Sequence, residues 1–293
     1  SKLLSISKKN SKVFFINSGA EAVENAIKIA YKKMGPLIGI SCNGDFHGRT
    51  LGALSFTMSK EIQKTNFPEL PVKRIKFCTS DSDPEINQLE SLIKEYKVAF
   101  IITEIIQGEG GLNVASKLFI HHIRKLADEY KVPLIFDEVQ SGMGRTGKWW
   151  AYEHYGVEPD IMTVAKALQV GATVYDKDYD PPEPGVLSST WGGGSRIDMA
   201  IGTKIIEIIL KNNLLSNSQK IGDVLLKNFV DIVGINGLID ARGIGLMIGL
   251  EFDTKVTRDF IVNSLFKKGL LILPAGMKSI RIMPPLIINE EEA

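Results

Sequence analysis

Asp137 and Lys166 are the two side chains here with the most chemistry to offer. Each closes a short apolar run: "PLIFDEVQSG" carries Leu134 to Phe136 into Asp137 and Glu138, and "DIMTVAK" ends on Lys166. A continuous apolar run bounded by Pro or Gly reads as a strand covered on both faces, as in a parallel sheet. In such sheets ligands bind just outside the carboxyl ends of the strands. A charge placed there is costly unless something pairs with it. Two strand ends of one sheet, 166 − 137 = 29 residues apart, can face one crevice. For an arbitrary lysine–aspartate pair, the simpler reading, a salt bridge, wins. A lysine at a buried strand end also has the desolvated amine that Schiff-base chemistry requires. An aspartate against a heteroaromatic nitrogen is the complementary half of pyridoxal phosphate binding.

A second feature is "INSGAEAVENAIKIA". A strand ends near Asn17, Ser18, Gly19 and Ala20 turn, and a helix begins with Glu21 and Glu24 in its first turn. Small residues leave backbone N–H groups open at a helix N-terminus, which makes an anion cup. The commoner reading of the same residues is a Ser-capped helix with Glu21 completing a capping box. His121 and His122 sit on a helical pattern and read as a solvated or half-buried face. His154, Trp149 and Trp150 read as structural.

These features must be positioned by an alternation of strands and helices. Strands are expected at 12–17, 37–42, 74–78, 98–104, 133–139 and 160–166, with helices at 22–34, 84–96 and 117–130. That order argues for an α/β fold with a mostly parallel central sheet flanked by helices. A loop-rich stretch, 175–185, breaks the pattern. A long helix over 196–212 then leads into helix 216–232, a hairpin at 237–252, helix 256–268 and two strands. We therefore expect a large α/β domain over 1–210 and a smaller α+β domain over 211–293.

The bulk numbers exclude several classes. With 293 residues, 44% hydrophobic and 24% charged, the chain is long enough for one large domain or two unequal ones. A net charge of +1 gives no reason to expect nucleic acid or a membrane surface as partner. Cys42 and Cys78 are the only cysteines, without metal-ligand spacing, and read as buried thiols of a cytoplasmic protein. No metal site is expected. No apolar segment is long enough to span a bilayer.

"FINSGAEAVENAIKIA", "FHGRTLGALSFT", "TEIIQGEGG", "FDEVQSGMGRTGKWWAYEHYGVEPDIMTVAKAL", "STWGGG" and "SIRIMPPLIINEEE" occur in family order. Together they resemble the class III (ω-amino acid) aminotransferases, which include 4-aminobutyrate, ornithine, acetylornithine and lysine aminotransferases. The resemblance covers nearly the whole chain. It implies a fold type I pyridoxal phosphate-dependent transferase that moves an amino group from an ω- or α-amino acid to a 2-oxo acid such as 2-oxoglutarate. It also implies residue roles. Lys166 forms the Schiff base and later shuttles a proton, and Asp137 holds the protonated pyridine nitrogen. Ser18, Gly19 and Ala20 supply the phosphate cup. Phe46 stacks on the ring, Val139 packs under it, and Gln140 reaches its hydroxyl. Thr190 reaches the phosphate of a partner subunit in a homodimer. Arg281 takes the 2-oxo acid's carboxylate and otherwise pairs with Glu109. Arg49 holds the carboxylate of an ω-amino substrate, and Glu104, at the end of strand 98–104, is placed with Arg49, Glu109 and Arg281 among the substrate-binding residues.

Three departures from the family pattern stand out. Only about a dozen residues precede the first strand, the strand after Lys166 is compressed to "QVGAT", and the final helix is absent after Ala293. A truncated enzyme or ordered pieces of a longer chain would both account for them. Two other functions remain open: a racemase or aminomutase on the same scaffold, and a non-catalytic chain that holds cofactor or a partner. The switchable pair Arg281–Glu109 favours the aminotransferase, because two chemically unlike substrates must share one site.

Overall fold

The computed structural model describes residues 1–189 and 193–293. Its strands run β1 (Ser11–Ile16), β2 (Ile38–Cys42), β3 (Val72–Ile75), β4 (Val98–Glu104), the short β5 (Ile106–Gln107) and β6 (Asn113–Val114), then β7 (Leu134–Asp137), β8 (Ile161–Val164) and β9 (Gly171–Asp176). Four more follow: β10 (Leu238–Ile244), β11 (Met247–Phe252), β12 (Leu273–Ala275) and β13 (Ser279–Ile282). The helices are α1 (Lys2–Ser5), α2 (Gly19–Met34), α3 (Leu51–Phe56), α4 (Gln88–Glu95), α5 (Lys117–Tyr130), α6 (Arg196–Lys211), α7 (Leu214–Asp231) and α8 (Lys255–Lys267). The main sheet has the order β1-β9-β8-β7-β4-β2-β3. Only β9 runs against the others, so the expected mostly parallel α/β sheet is present.

The apolar runs become strands because both faces are covered. All residues of β4, β7 and β8 are buried. Their side chains alternate between two cores. Ile101, Leu134, Phe136, Met162 and Val164 pack on the side of α5, whose Phe119, Ile120 and Ile123 face them. Phe100, Ile102, Ile135 and Ile161 pack on the side of α2, against Val23, Ala26, Ile27 and Ala30. Continuing that alternation places Glu104, Asp137 and Thr163 on the α2 side. They are register partners across three adjacent parallel strands. The positions that can bear charge therefore fall where α2 begins.

Three local readings are corrected. The strand expected at 74–78 is Val72–Ile75, because the Lys76 amide leaves the ladder for the Gln88 side chain, 2.9 Å away. The helix expected at 84–96 opens as a 3-10 turn over Pro84–Asn87, capped by Asp83, before α4 starts. The strand after Lys166 is not compressed. β9 is a six-residue strand that takes in Tyr175 and Asp176 from the stretch read as loop, wedged antiparallel between β1 and β8. Its first residue must be glycine, since a Cβ at Gly171 would lie 2.6 Å from the Ser18 carbonyl oxygen.

The second sheet, β10-β11-β13-β12, is antiparallel throughout and packs with α7 around Ile221, Leu225, Leu246, Ile248 and Ile280. Backbone meets backbone where it joins the loop after β7. The Arg145 carbonyl accepts from the Leu246 amide at 3.0 Å and from Ser218 Oγ at 2.8 Å. The Arg145 guanidinium donates to the carbonyls of Pro284 and Leu246, and burial lowers its pKa to about 10. A Cβ on Gly222 of α7 would sit 2.2 Å from the Gly245 backbone, and one on Gly245 would sit 2.6 Å from Thr146. No flexible side chain can yield at either contact. Gly222→Ala should therefore destabilise the protein by roughly 1–3 kcal/mol, the usual cost of overpacking. The check is urea unfolding followed by circular dichroism; an unchanged midpoint would show that α7 moves freely.

Candidate active site

Five strand ends converge on one edge of the main sheet. Residues at or just beyond the ends of β1 (Ser18), β2 (Phe46 and His47), β4 (Glu104), β7 (Val139) and β8 (Lys166) meet there, together with the start of β9. Between them lies a cavity of about 640 Å³. Ser18, Gly19, Ala20, Phe46, Arg49, Glu104, Asp137, Val139, Gln140 and Lys166, all singled out in the sequence, line it. Glu109 and Arg281 stand beyond that lining. They pair at 2.5 Å, and Arg281 Nη1 reaches Gln140 Oε1 at 3.4 Å. Thr190 lies outside the described residues. Among the described residues, no cluster of His, Cys, Asp or Glu is arranged to hold a metal.

Asp137 is 4% exposed, and its carboxylate lines the cavity while accepting three hydrogen bonds. Oδ1 accepts from Thr163 Oγ1 at 2.9 Å and from the Val139 amide at 3.0 Å. Oδ2 accepts from His47 Nδ1 at 2.9 Å. His47 is fully buried, and its far nitrogen lies 3.5 Å from Asp45 Oδ2. Burial alone would lower the imidazole's pKa, but the hydrogen bond to Asp137 and the negative charges of Asp137 and Asp45 outweigh it and raise the value to about 10. Asp45 is held in turn by Gln107 Nε2, 2.8 Å from Oδ1. Sequence reasoning quoted the Phe-His-Gly-Arg segment but assigned no role to His47, Asp45 or Thr163. A histidine directly after the expected stacking aromatic was the available signal.

The adjacent carboxylate answers a different need. Glu138 accepts from Ser141 Oγ and from the Tyr152 amide, so it ties the loop that follows β7 to the segment at 150–155. That segment carries Trp150, fully buried and donating to the Ile6 carbonyl at 2.7 Å, and His154, which contacts Thr146. Glu104 spends both oxygens on backbone amides, those of Phe46 at 2.8 Å and Gly108 at 3.0 Å. Burial and the nearby Asp45 push its pKa well above the usual carboxylate range.

Lys166 is the unpaired member. Its ammonium has no hydrogen bond or ion pair among the described residues. The side chain opens onto the cavity, yet the cavity is recessed: burial lowers the amine's pKa, opposed by the charges of Asp137, Glu104 and Glu109. The backbone there is strained, with φ of 34°, in a region lysine rarely adopts. At the opposite wall, both readings of Ser18 hold together. Ser18 and Glu21 form the capping box, while the first-turn amides of Gly19 and Ala20 remain without acceptors among the described residues. Gly19 is small because a Cβ would meet Val139 at 2.8 Å.

These features define a recessed site for an anionic, ring-bearing, amine-reactive group. The chain belongs to the class-III aminotransferase family, whose family description matches residues 1–293. It is therefore a pyridoxal phosphate-dependent aminotransferase. It is 43% identical to the acetylornithine aminotransferase of Prochlorococcus marinus, across 96% of this chain and 70% of that protein. It is 37% identical to the acetylornithine aminotransferase of Archaeoglobus fulgidus, across 95% and 72%. The lysine aminotransferase of M. tuberculosis superposes with a TM-score of 0.89 at 31% identity, across 96% and 72%. The residues present fit pyridoxal phosphate. The free amine of Lys166, the open amides of Gly19 and Ala20, and the buried, unpartnered Nε2 of Gln140 supply the contacts such a group needs.

Glu138 makes this region sensitive to pH. Burial raises its pKa from 4.5 to about 7, only partly offset by its hydrogen bonds. A carboxyl that is harder to ionise folded than unfolded is most stabilising while protonated. Its share of stability is therefore lost as pH rises from about 4.5 to about 7. Glu104, shifted the same way, adds to the trend. Glu138→Gln should flatten that part of the profile by up to roughly 3 kcal/mol. Urea unfolding of both proteins across this range checks it, and parallel curves would refute it.

Proposed function

We propose that this aminotransferase removes the terminal amine of a basic amino acid of the ornithine class (ornithine, acetylornithine or lysine) and delivers it to a 2-oxo acid such as 2-oxoglutarate. The observation that carries the reading is Lys166, an unpaired amine of lowered pKa that opens onto the same cavity as Asp137 and the open helix amides. The relatives' names favour this donor class over 4-aminobutyrate. The Glu109–Arg281 pair favours transfer over isomerisation, since only transfer must admit a second, differently charged substrate.

When bound, pyridoxal phosphate supplies an electrophilic carbon for amines and a ring that takes up an electron pair. Ser18, Gly19 and Ala20 would hold its phosphate, Phe46 and Val139 would flank its ring, and Gln140 would reach its hydroxyl. Asp137 would hold the proton on the ring nitrogen. Lys166 would hold the cofactor and, as a free amine, would carry the proton to and from the substrate carbon. Glu104 fixes Phe46 through its amide and would meet the substrate from the cavity wall. Arg49, exposed at the cavity's wall and without an ion pair among the described residues, binds the carboxylate of the ω-amino donor. Arg281 leaves Glu109 to bind the 2-oxo acid. Thr190 completes the phosphate site of a partner in a cytoplasmic homodimer. The division into a large domain, 1–210, and a small one, 211–293, would let Arg281 approach the cofactor from the second sheet.

Borohydride reduction followed by peptide mapping should label Lys166 alone; a label on another lysine sinks the assignment. Arg281→Ala should raise KM for the 2-oxo acid roughly 10- to 100-fold through loss of a bidentate contact, with the donor half-reaction little changed. Arg49→Ala should show the reverse, and equal loss of both substrates would make Arg49 structural. Mixing Thr190→Ala with Lys166→Ala protein should restore activity, because an exchanged dimer carries one site free of both changes. No recovery after proven exchange would rule out the shared site.

A further inference from the structure

A buried line of groups runs behind Asp137 with no evident structural need for so much charge. The side chains of Asp45 and His47 have no exposed surface, and that of Asp137 has almost none. Gln107 Nε2 and the Cys42 amide, 2.8 and 3.4 Å from the Asp45 oxygens, aim that carboxylate at His47 Nε2. His47 Nε2 makes no other contact, and its Nδ1 donates to Asp137. The backbone on either side is fixed as well. The His47 amide donates to Thr57 Oγ1 at 3.0 Å, and the Asp45 carbonyl accepts from Met58. A neutral residue at 45 would leave His47 able to donate one proton to Asp137 and would avoid burying a second carboxylate. The cost of Asp45 is thus matched only by an effect on charge.

We propose that Asp45 is a positioning residue that acts through His47: by facing the far imidazole nitrogen it keeps both ring nitrogens protonated, so that the group behind Asp137 is a fixed cation balanced by a second carboxylate. This rests on the reading of Asp137 as the partner of the cofactor's ring nitrogen. Two carboxylates and one imidazolium carry a net charge of −1, which suits a protonated ring. Removing Asp45 leaves a neutral pair whenever His47 is protonated, and −1 returns only when His47 gives up its proton. Four further ionisable groups surround the line. They are Glu104, whose shift shows that it senses both Asp45 and His47; Cys42, which senses Asp45 and Cys78; Cys78 itself; and Lys166, which senses Asp137. None of these stands between Asp45 and His47.

The test uses Asp45→Asn in the cofactor-loaded enzyme, with histidine nitrogens labelled and His47 assigned from the His47→Gln spectrum. In the wild type, His47 should remain doubly protonated across about pH 6 to 9, and kcat should show no ionisation from it. In Asp45→Asn, His47 should titrate within that range. The kcat should fall roughly 10-fold on the acid side, through an ionisation that matches the titration. The cofactor's absorbance should change over the same interval. If Asp45→Asn does not fold, Asp45→Ser removes the same charge and carries the test. A His47 that stays protonated throughout in the variant overturns the inference. If the titration moves while kcat and absorbance stay flat, the Asp45–His47 coupling stands and the reading of Asp137 fails.

Discussion

The constraint on which this site depends is the burial of the Asp137 carboxylate. An ionised carboxyl taken out of water without partners would give up its charge, and with it any ability to hold a cation opposite. Here three donors meet it, from Thr163 on the next strand, from the Val139 amide, and from His47 on the loop after β2. Each donor fixes an element. The register of β7 and β8 must bring Thr163 level with Asp137, and the chain after Asp137 must turn back on itself. The β2 loop must in turn fold over the strand ends. The cavity is what remains once those three demands are met.

The second sheet reaches this arrangement through glycine-lined contacts rather than through large side chains. The turn after β4 approaches it closely: Cβ atoms on Gly249 and Gly276 would lie 2.6 Å from Leu112 and 2.8 Å from Gly110. The Glu109 carbonyl accepts from the Gly276 amide at 2.8 Å. That intimacy lets an arginine on β13 pair with a glutamate 172 residues away. Such a pair is partly open to solvent, at 19% and 20% exposure, which suits an arginine that must serve a carboxylate from outside.

Much of this was legible in the sequence where hydrophobic runs ended in charge. β4 and α5 occupy the spans their patterns indicate, and the strand ends carrying Glu104, Asp137 and Lys166 line one cavity. What escaped notice was three-dimensional. Asp45 and His47 lie in a loop without periodicity, and their partners are on other elements. β9 was obscured because Gly171 and Ala172 lack the β-branched signal, their smallness being demanded by Ser18 and the neighbouring backbone. Glu138 looked like a twin of Asp137, yet successive strand-end residues point to opposite sides, and that alternation sends it to a loop.

The reversed strand β9 also sets a timetable for synthesis. β1 pairs with β9 alone, Ile16 with Gly171 and Ser11 with Asp176. β1 must therefore wait for a partner about 160 residues downstream, or on the order of 10 to 30 seconds of translation. Until then β1 lacks the strand it pairs with here, and the turn at Ser18 that follows it lacks the β9 backbone it packs on. The phosphate end of the site is thus closed late, by a contact of long sequence separation that is slow to find. On a ribosome, the cofactor pocket would be among the last parts of the main sheet to exist.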